Sequence, residues 1–171
     1  MRTELNEFVR EWERHTEGTH ALLESLPQDQ YDFRPDAGGR SVGELAWHLA
    51  ELDGYVTRGI EQRRFTFGPG NPPGLTRPRT IAELAPAFLR VHADAVARIA
   101  QLEPQDWAAE MPYADGSLWT IGDLLERKLL MHSIHHRGQL TVLCRLAGGV
   151  PPDLFGQRRE EASPRPQVAG V

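Results

Sequence analysis

A single cysteine, Cys144, stands in a chain of 171 residues. It cannot close an internal disulfide, which excludes a disulfide-stapled scaffold and makes a reducing cytoplasm the simplest compartment. No uncharged apolar run approaches the roughly 20 residues that a membrane-spanning helix needs. The opening stretch "MRTELNEFVREWERH" lacks the apolar core of a secretory signal. Positive charge is not in surplus either: the formal net charge is -5, so nothing electrostatic favours nucleic acid or an anionic membrane as partner. No stretch alternates in a way that demands a strand, and no internal repeat or interior linker divides the chain. The expectation is one cytoplasmic domain over residues 1–156, large enough to bury a sizeable core. The tail 157–171, "QRREEASPRPQVAGV", has too little apolar content to fold and reads as disordered.

What is present is four helical patterns. The first runs from about Thr3 to Leu26, with Leu5, Phe8, Trp12, Thr16, Thr19, Leu23 and Leu26 along one face. "LPQDQYDFRPDAGG" breaks it. The second begins at Ser41, where S-V-G-E offers a capping box with Glu44, and carries Val42, Leu45, Leu49, Leu52 and Val56 at bundle-seam spacing. Thr80 and Glu83 give a second capping-box signal for a helix with Ile81, Leu84, Phe88, Ala95, Ile99 and Leu102 inward. Pro86 inside it costs a hydrogen bond and predicts a kink or a displaced start. Thr120 and Asp123 cap the fourth helix, which runs to about Ala147 and stops at Gly148-Gly149, with Pro151 and Pro152 beyond. Residues 65–79, "FTFGPGNPPGLTRPR", are too long and too rich in proline and glycine for a tight hairpin, and suit an overhand crossover between helices two and three. The predicted fold is all-α: a four-helix bundle with a long crossover connection.

The fourth helix contains "MHSIHHRGQL", three histidines within five positions. Its inward stripe is Leu125, Leu129, His132, His136, Leu140, Leu143 and Ala147, so two of the three lie on the seam itself. His132 and His136 are four residues apart, one turn along a shared face, and an H-x-x-x-H pair at that spacing can converge on one cation. His135 is rotated by about 100° and flanks the seam. Two imidazoles in one layer without a ligand leave ring nitrogens seeking partners, and a hydrogen-bonded core pair is the plain alternative. His48 sits between Leu45 and Leu52 on the seam side of helix two and supplies a third imidazole. Three protein ligands plus an open position is the pattern of a catalytic rather than a structural metal. His15 and His92 are weighed as further ligands or cavity walls, and His20 is peripheral. Gly138 in mid-helix suggests close packing or ligand access. Gln139 is placed to hydrogen-bond near the site, Arg137 to meet solvent or a carboxylate, Trp12 to wall a pocket, and Cys144 to fill core.

"SVGELAWHLAELDGYV" together with "HSIHHRGQLTVLCRLAGGVPPDLFG" resembles the DinB/YfiT-like superfamily of damage-inducible, four-helix-bundle candidate metalloenzymes. The likeness runs from the first helix to the "VPPDLFG" after the fourth. The resemblance implies a divalent metal, zinc or nickel, on a three-histidine site that falls here on His48, His132 and His136, and a homodimer. Relatives of that family include S-transferases that use low-molecular-weight thiols such as bacillithiol or mycothiol, and a maleylpyruvate isomerase.

The leading expectation is therefore a metal-dependent, low-molecular-weight-thiol S-transferase in detoxification or stress response, with a small-molecule electrophile as partner. A bound divalent ion would lower the pKa of the thiol and present it for transfer. A metal-dependent hydrolase that activates water is the alternative, weakened because no carboxylate stands convincingly beside the histidine layer in the sequence. A non-catalytic metal- or ligand-binding stress protein is the third reading.

Overall fold

The computed structural model describes residues 4–66 and 75–156. The expected helix start at Thr3, the middle of the crossover and the tail expected to be disordered lie outside the described residues. Within them α1 spans Glu4–Glu24, α2 Val42–Glu61 and α3 Ile81–Ile99. The last helix, α4, covers 121–146 in three pieces: Ile121–Asp123, Leu124–Met131 and His132–Leu146. Every residue of the apolar stripes assigned to α1 and α2 is buried, as hydrophobic burial at bundle spacing requires.

The core falls into two apolar clusters, one toward each end of the bundle. One holds Leu22 and Leu23 of α1 and Leu26 just beyond it, with Val42 and Leu45 of α2, Ile81 and Leu84 of α3, and Leu140, Leu143 and Cys144 of α4. The other holds Leu5 and Phe8, Val56 and Ile60, Ala95 and Ile99, and Leu124, Leu125 and Leu129. The starts of α2 and α3 thus share one end with the finishes of α1 and α4, so α2 and α3 run parallel. A helix of 20 residues is about 30 Å long, and the chain must travel that length back between α2 and α3. The crossover read from the proline- and glycine-rich stretch is that return. Between the two clusters lie buried polar side chains from every helix: Thr16, Asp53, His92, His136 and Arg137.

Local chemistry explains where the helices start and stop. The Ser41 hydroxyl accepts from the Glu44 N–H at 3.3 Å, and the Ser41 N–H donates to Glu44 Oε2 at 2.9 Å, the reciprocal capping box. That backbone bond lowers the Glu44 pKa, with Arg34 at 3.3 Å adding to it. Thr80 departs from its expected role: its hydroxyl donates to Glu83 Oε2 at 2.7 Å and does not cap the backbone. Pro86 stays inside α3, and the helix still begins at Ile81. At the far end of α4, Gly148 takes φ 87°, its N–H donates to the Arg145 carbonyl, and the Gly149 N–H donates to that of Cys144. This is a Schellman stop, and the positive φ is why glycine is needed there.

Two features were absent from the sequence expectation. The turn-rich "PYADGS" closes a short antiparallel hairpin, β1 Glu110–Pro112 with β2 Leu118–Thr120, in which Met111 pairs with Trp119. The hairpin leans on the bundle and leaves the helical fold unchanged. In α4, Leu124–Met131 has the wide i→i+5 turn of a π-helix, ending immediately before His132. Such turns are rare and recur at functional sites.

Gly59 of α2 faces the ring of Phe65 so closely that a β-carbon would overlap it. Gly59→Ala is expected to lose about 1–3 kcal/mol through overpacking, read as a lower midpoint in urea with the slope unchanged.

Candidate metal centre

α2 and α4 pack side by side, antiparallel, and each presents polar residues at mid-height on the shared flank. His48 comes from α2; His132 and His136 come from the first turns after the wide segment of α4. Each offers one ring nitrogen, and these atoms all lie within 4.8 Å of one another. Ring centroids are 4.7 Å apart for His48 and His136, 4.6 Å for His132 and His136, and 5.9 Å for His48 and His132. The sequence expectation of one cluster from these three positions matches the geometry.

The surrounding acceptors set the tautomers. His48 Nδ1 lies 3.1 Å from Glu51 Oε2, and His136 Nδ1 lies 2.7 Å from Gln139 Oε1. Both oxygens only accept, so both Nδ1 atoms carry hydrogen, which turns the Nε2 atoms toward the cluster. The Lys128 carbonyl, one turn back, holds His132 by a backbone hydrogen bond. His132 Nε2 and His136 Nε2 then face each other at 2.9 Å. Two lone pairs at that distance repel unless a proton or a cation lies between them. Burial argues against the proton: it pushes the His136 pKa down to about 4, with His48 and His132 adding to the effect against Gln139. His132 is lowered by burial first, with His48 and His135 adding to the effect against the Lys128 backbone hydrogen bond. Imidazoles with converging ring nitrogens and outer nitrogens already hydrogen-bonded are the donor set that zinc and nickel favour.

Glu51 was not foreseen. It stands one turn from His48 on α2, its side chain 22% exposed, and answers the expectation that no carboxylate lies beside the histidine layer. A carboxylate on the far nitrogen orients the ring and raises the basicity of the near one. Glu51→Ala is expected to weaken zinc binding about 10- to 100-fold, measured by competition with a chromogenic chelator at neutral pH.

The remaining histidines are elsewhere. His135 is exposed and is not one of the three clustered rings, though its own ring meets that of His136 edge-on at 5.1 Å. His92 Nδ1 is 2.7 Å from the buried Asp53 carboxylate and 3.4 Å from the Thr16 hydroxyl, and its ring meets Trp12 edge-on at 4.5 Å. His15 lies between Glu11, 3.1 Å from Nε2, and Arg137. Neither is part of the three-histidine group. Arg137 departs from expectation: it is 3% exposed and, among the described residues, meets no carboxylate, donating to the His15 carbonyl at 2.7 Å and placing Nη2 2.8 Å from His15 Nδ1. Gly138 has nothing within 4 Å of its missing β-carbon, so internal packing does not explain it. Trp12 does wall a cavity, and Cys144 is a buried core residue. Asp53 went unnoticed in the sequence, although an acid beside Leu49, Leu52 and Val56 on an inward face was the available signal.

Comparison with known proteins agrees with this geometry. The family model of the DinB superfamily matches residues 11–140. An uncharacterized protein of Bacillus subtilis, YrdA, is 29% identical over 161 residues, covering 92% of this chain and 91% of its own length. A DinB-like protein of Bacillus cereus, known from its crystal structure, superposes with a TM-score of 0.72 at 24% identity over 86% of this chain and 95% of that one. The DinB-like protein YjoA of Bacillus subtilis gives a TM-score of 0.72 at 25% identity, covering 90% of this chain and 99% of its own.

Proposed function

This chain belongs to the DinB superfamily, and from that premise we propose that it is a divalent-metal-dependent enzyme centred on His48, His132 and His136. The observation that carries the reading is the convergence of imidazole nitrogens whose outer hydrogens are already committed, with two Nε2 atoms 2.9 Å apart. When bound, zinc or nickel supplies Lewis acidity there and lowers the pKa of a small thiol into the neutral range.

The chain's own residues do the positioning. Glu51, Gln139 and the Lys128 carbonyl hold the three rings in one tautomer and one orientation. The side chain of His48 is 16% exposed, which leaves the cluster reachable by a small molecule from the flank between α2 and α4. Sulfur chemistry here needs a thiol from outside, because Cys144 is buried in the apolar cluster at one end of the bundle. The reaction supported best is transfer of a low-molecular-weight thiol, of the bacillithiol or mycothiol type, to an electrophilic small molecule. Incubating zinc- or nickel-loaded protein with several such thiols and a chromogenic electrophile should give metal-dependent conjugation. Normal turnover by the His132→Ala/His136→Ala double variant would overturn the mechanism.

One observation favours hydrolysis as the second reading: Glu51 supplies a carboxylate at the site. Its Oε2 is held on His48 Nδ1, however, which makes it a positioning group before it is a base. Ester or amide turnover without added thiol would reverse the ranking. The expected homodimer has a candidate surface in the exposed Met131, Val142 and Leu146 of α4, beside the open face of Gly138. Light scattering on the purified chain tests it, and a monomer would remove it.

A further inference from the structure

The wide segment Leu124–Met131 delivers the chain to His132, and its two faces are held by different partners. Leu124, Leu125 and Leu129 anchor the inner face in the apolar core. The outer face meets the hairpin through Lys128. Its ammonium lies 4.7 Å from the centre of the Tyr113 ring and 4.4 Å from that of Trp119, one ring from each arm. A cation that near an aromatic face is attracted by the ring quadrupole. Neither ring is loose. Tyr113 packs on Phe65 at 4.8 Å, and Phe65 fills the space over Gly59 of α2. The Trp119 Nε1–H donates to the Ser117 hydroxyl at 2.8 Å, and that hydroxyl donates to Asp115. Contacts therefore run without a break from α2 through the hairpin to Lys128.

Lys128 stands one turn before His132, and its carbonyl takes the hydrogen bond of that ring. The other two rings of the cluster are turned by side chains, Glu51 for His48 and Gln139 for His136. His132 relies on the backbone. A carbonyl orients a ring only as firmly as its own peptide is held. Wide turns are rare in helices and mostly single, so one of eight residues takes its shape from what packs against it. On the outer face the Arg127 side chain is 61% exposed and reaches Trp119 only at 5.8 Å, which leaves Lys128 as the closer tie. We propose that Lys128 is a positioning residue of the metal centre, its ammonium clasped by Tyr113 and Trp119 so that its carbonyl aims the His132 ring at His48 and His136. The role rests on the metal reading, but the state of the His132 ring can be read without the ion.

Lys128→Met and Trp119→Leu break the contact from opposite sides. The first removes the cation and keeps most of the stem; the second removes one ring and leaves every charge in place. The sign is diagnostic for Lys128→Met, because deleting a cation beside the cluster would by charge alone tighten its hold on a divalent ion. Positioning predicts the reverse. Both variants should weaken zinc binding about tenfold in chelator competition at neutral pH. Lys128→Arg keeps a cation on the rings and should stay within about threefold of wild type. The second readout uses the metal-free protein. Nitrogen-15 spectra should place hydrogen chiefly on His132 Nδ1 in the wild type and show a shift toward Nε2 in both variants. Helical dichroism checks that each variant folds, and either variant decides alone if the other does not. Zinc binding that is unchanged or tighter in a folded variant overturns the role, and so does a His132 tautomer that stays as in the wild type. A wild-type chain that takes up no zinc sinks the metal reading instead, and the tautomer then decides for Lys128 by itself.

Discussion

Replacing Asp53 by alanine lowers the free energy of unfolding by about 3–5 kcal/mol, the cost of a void and of buried donors left without an acceptor. Asp53 is 2% exposed and accepts hydrogen bonds from His92 Nδ1 at 2.7 Å and from Trp12. Its removal strands both donors between the two apolar clusters and leaves a void beside them. At about 2–4 °C per kcal/mol for a chain of this size, the midpoint falls by roughly 10 °C. Asp53→Asn keeps an acceptor for the ring nitrogen and should lose much less. The pH dependence has a definite sign. Burial raises the Asp53 pKa above its ordinary 3.8, with His92 and Trp12 opposing. The folded state therefore holds this proton at pH values where the unfolded chain has released it. The stability due to that proton is complete below 3.8 and is lost as pH rises through the folded-state pKa. Calorimetry from mildly acidic to neutral pH should show a flatter profile for Asp53→Asn than for the wild type.

The second large effect is on metal affinity. His132→Ala removes one of three ligands and the nitrogen that His136 Nε2 faces at 2.9 Å, and zinc affinity should fall by about a hundredfold or more. His136→Ala should do at least as much, because His136 is 8% exposed and is the ring closest to both others. His135→Ala, on an exposed position whose ring touches His136 edge-on but offers no nitrogen to the cluster, should cost far less than either ligand change. Isothermal titration at neutral pH separates these three variants. Burial keeps the His136 pKa at about 4, so protons compete weakly for that ring above pH 5, and zinc should be retained through mildly acidic buffers.

Apolar periodicity made the bundle legible. The stripes of α1 and α2 could be read because burial at three-four spacing leaves its mark on each helix alone, and His48, His132 and His136 interrupt such stripes. The crossover was readable from chain length and proline content, since parallel neighbours demand a long return. What escaped has a common physical cause: it depends on what stands across the bundle. Asp53 acquires its meaning only from His92 on α3, 39 residues away, and Trp12 on α1. Arg137 looked like a surface cation because nothing in its own helix announces that His15 will receive it. Glu51 is local to His48, but an i, i+3 acid on a helix is common and signals a positioning role only once the ring beside it faces other imidazoles. The wide turn over Leu124–Met131 leaves no compositional trace, and its effect is one of phase: His136 and Arg137 are both buried, on two adjacent faces of α4.

The central claim is that three imidazoles, each with its outer nitrogen already committed, take one divalent ion. X-ray absorption on tag-free protein loaded with zinc, combined with elemental analysis, tests it most directly. One ion per chain with three imidazole ligands, lost in a His48→Ala/His132→Ala/His136→Ala variant that still folds, is the predicted result. A chain that takes up no ion, or an ion whose ligand shell is the same in that variant, would contradict it.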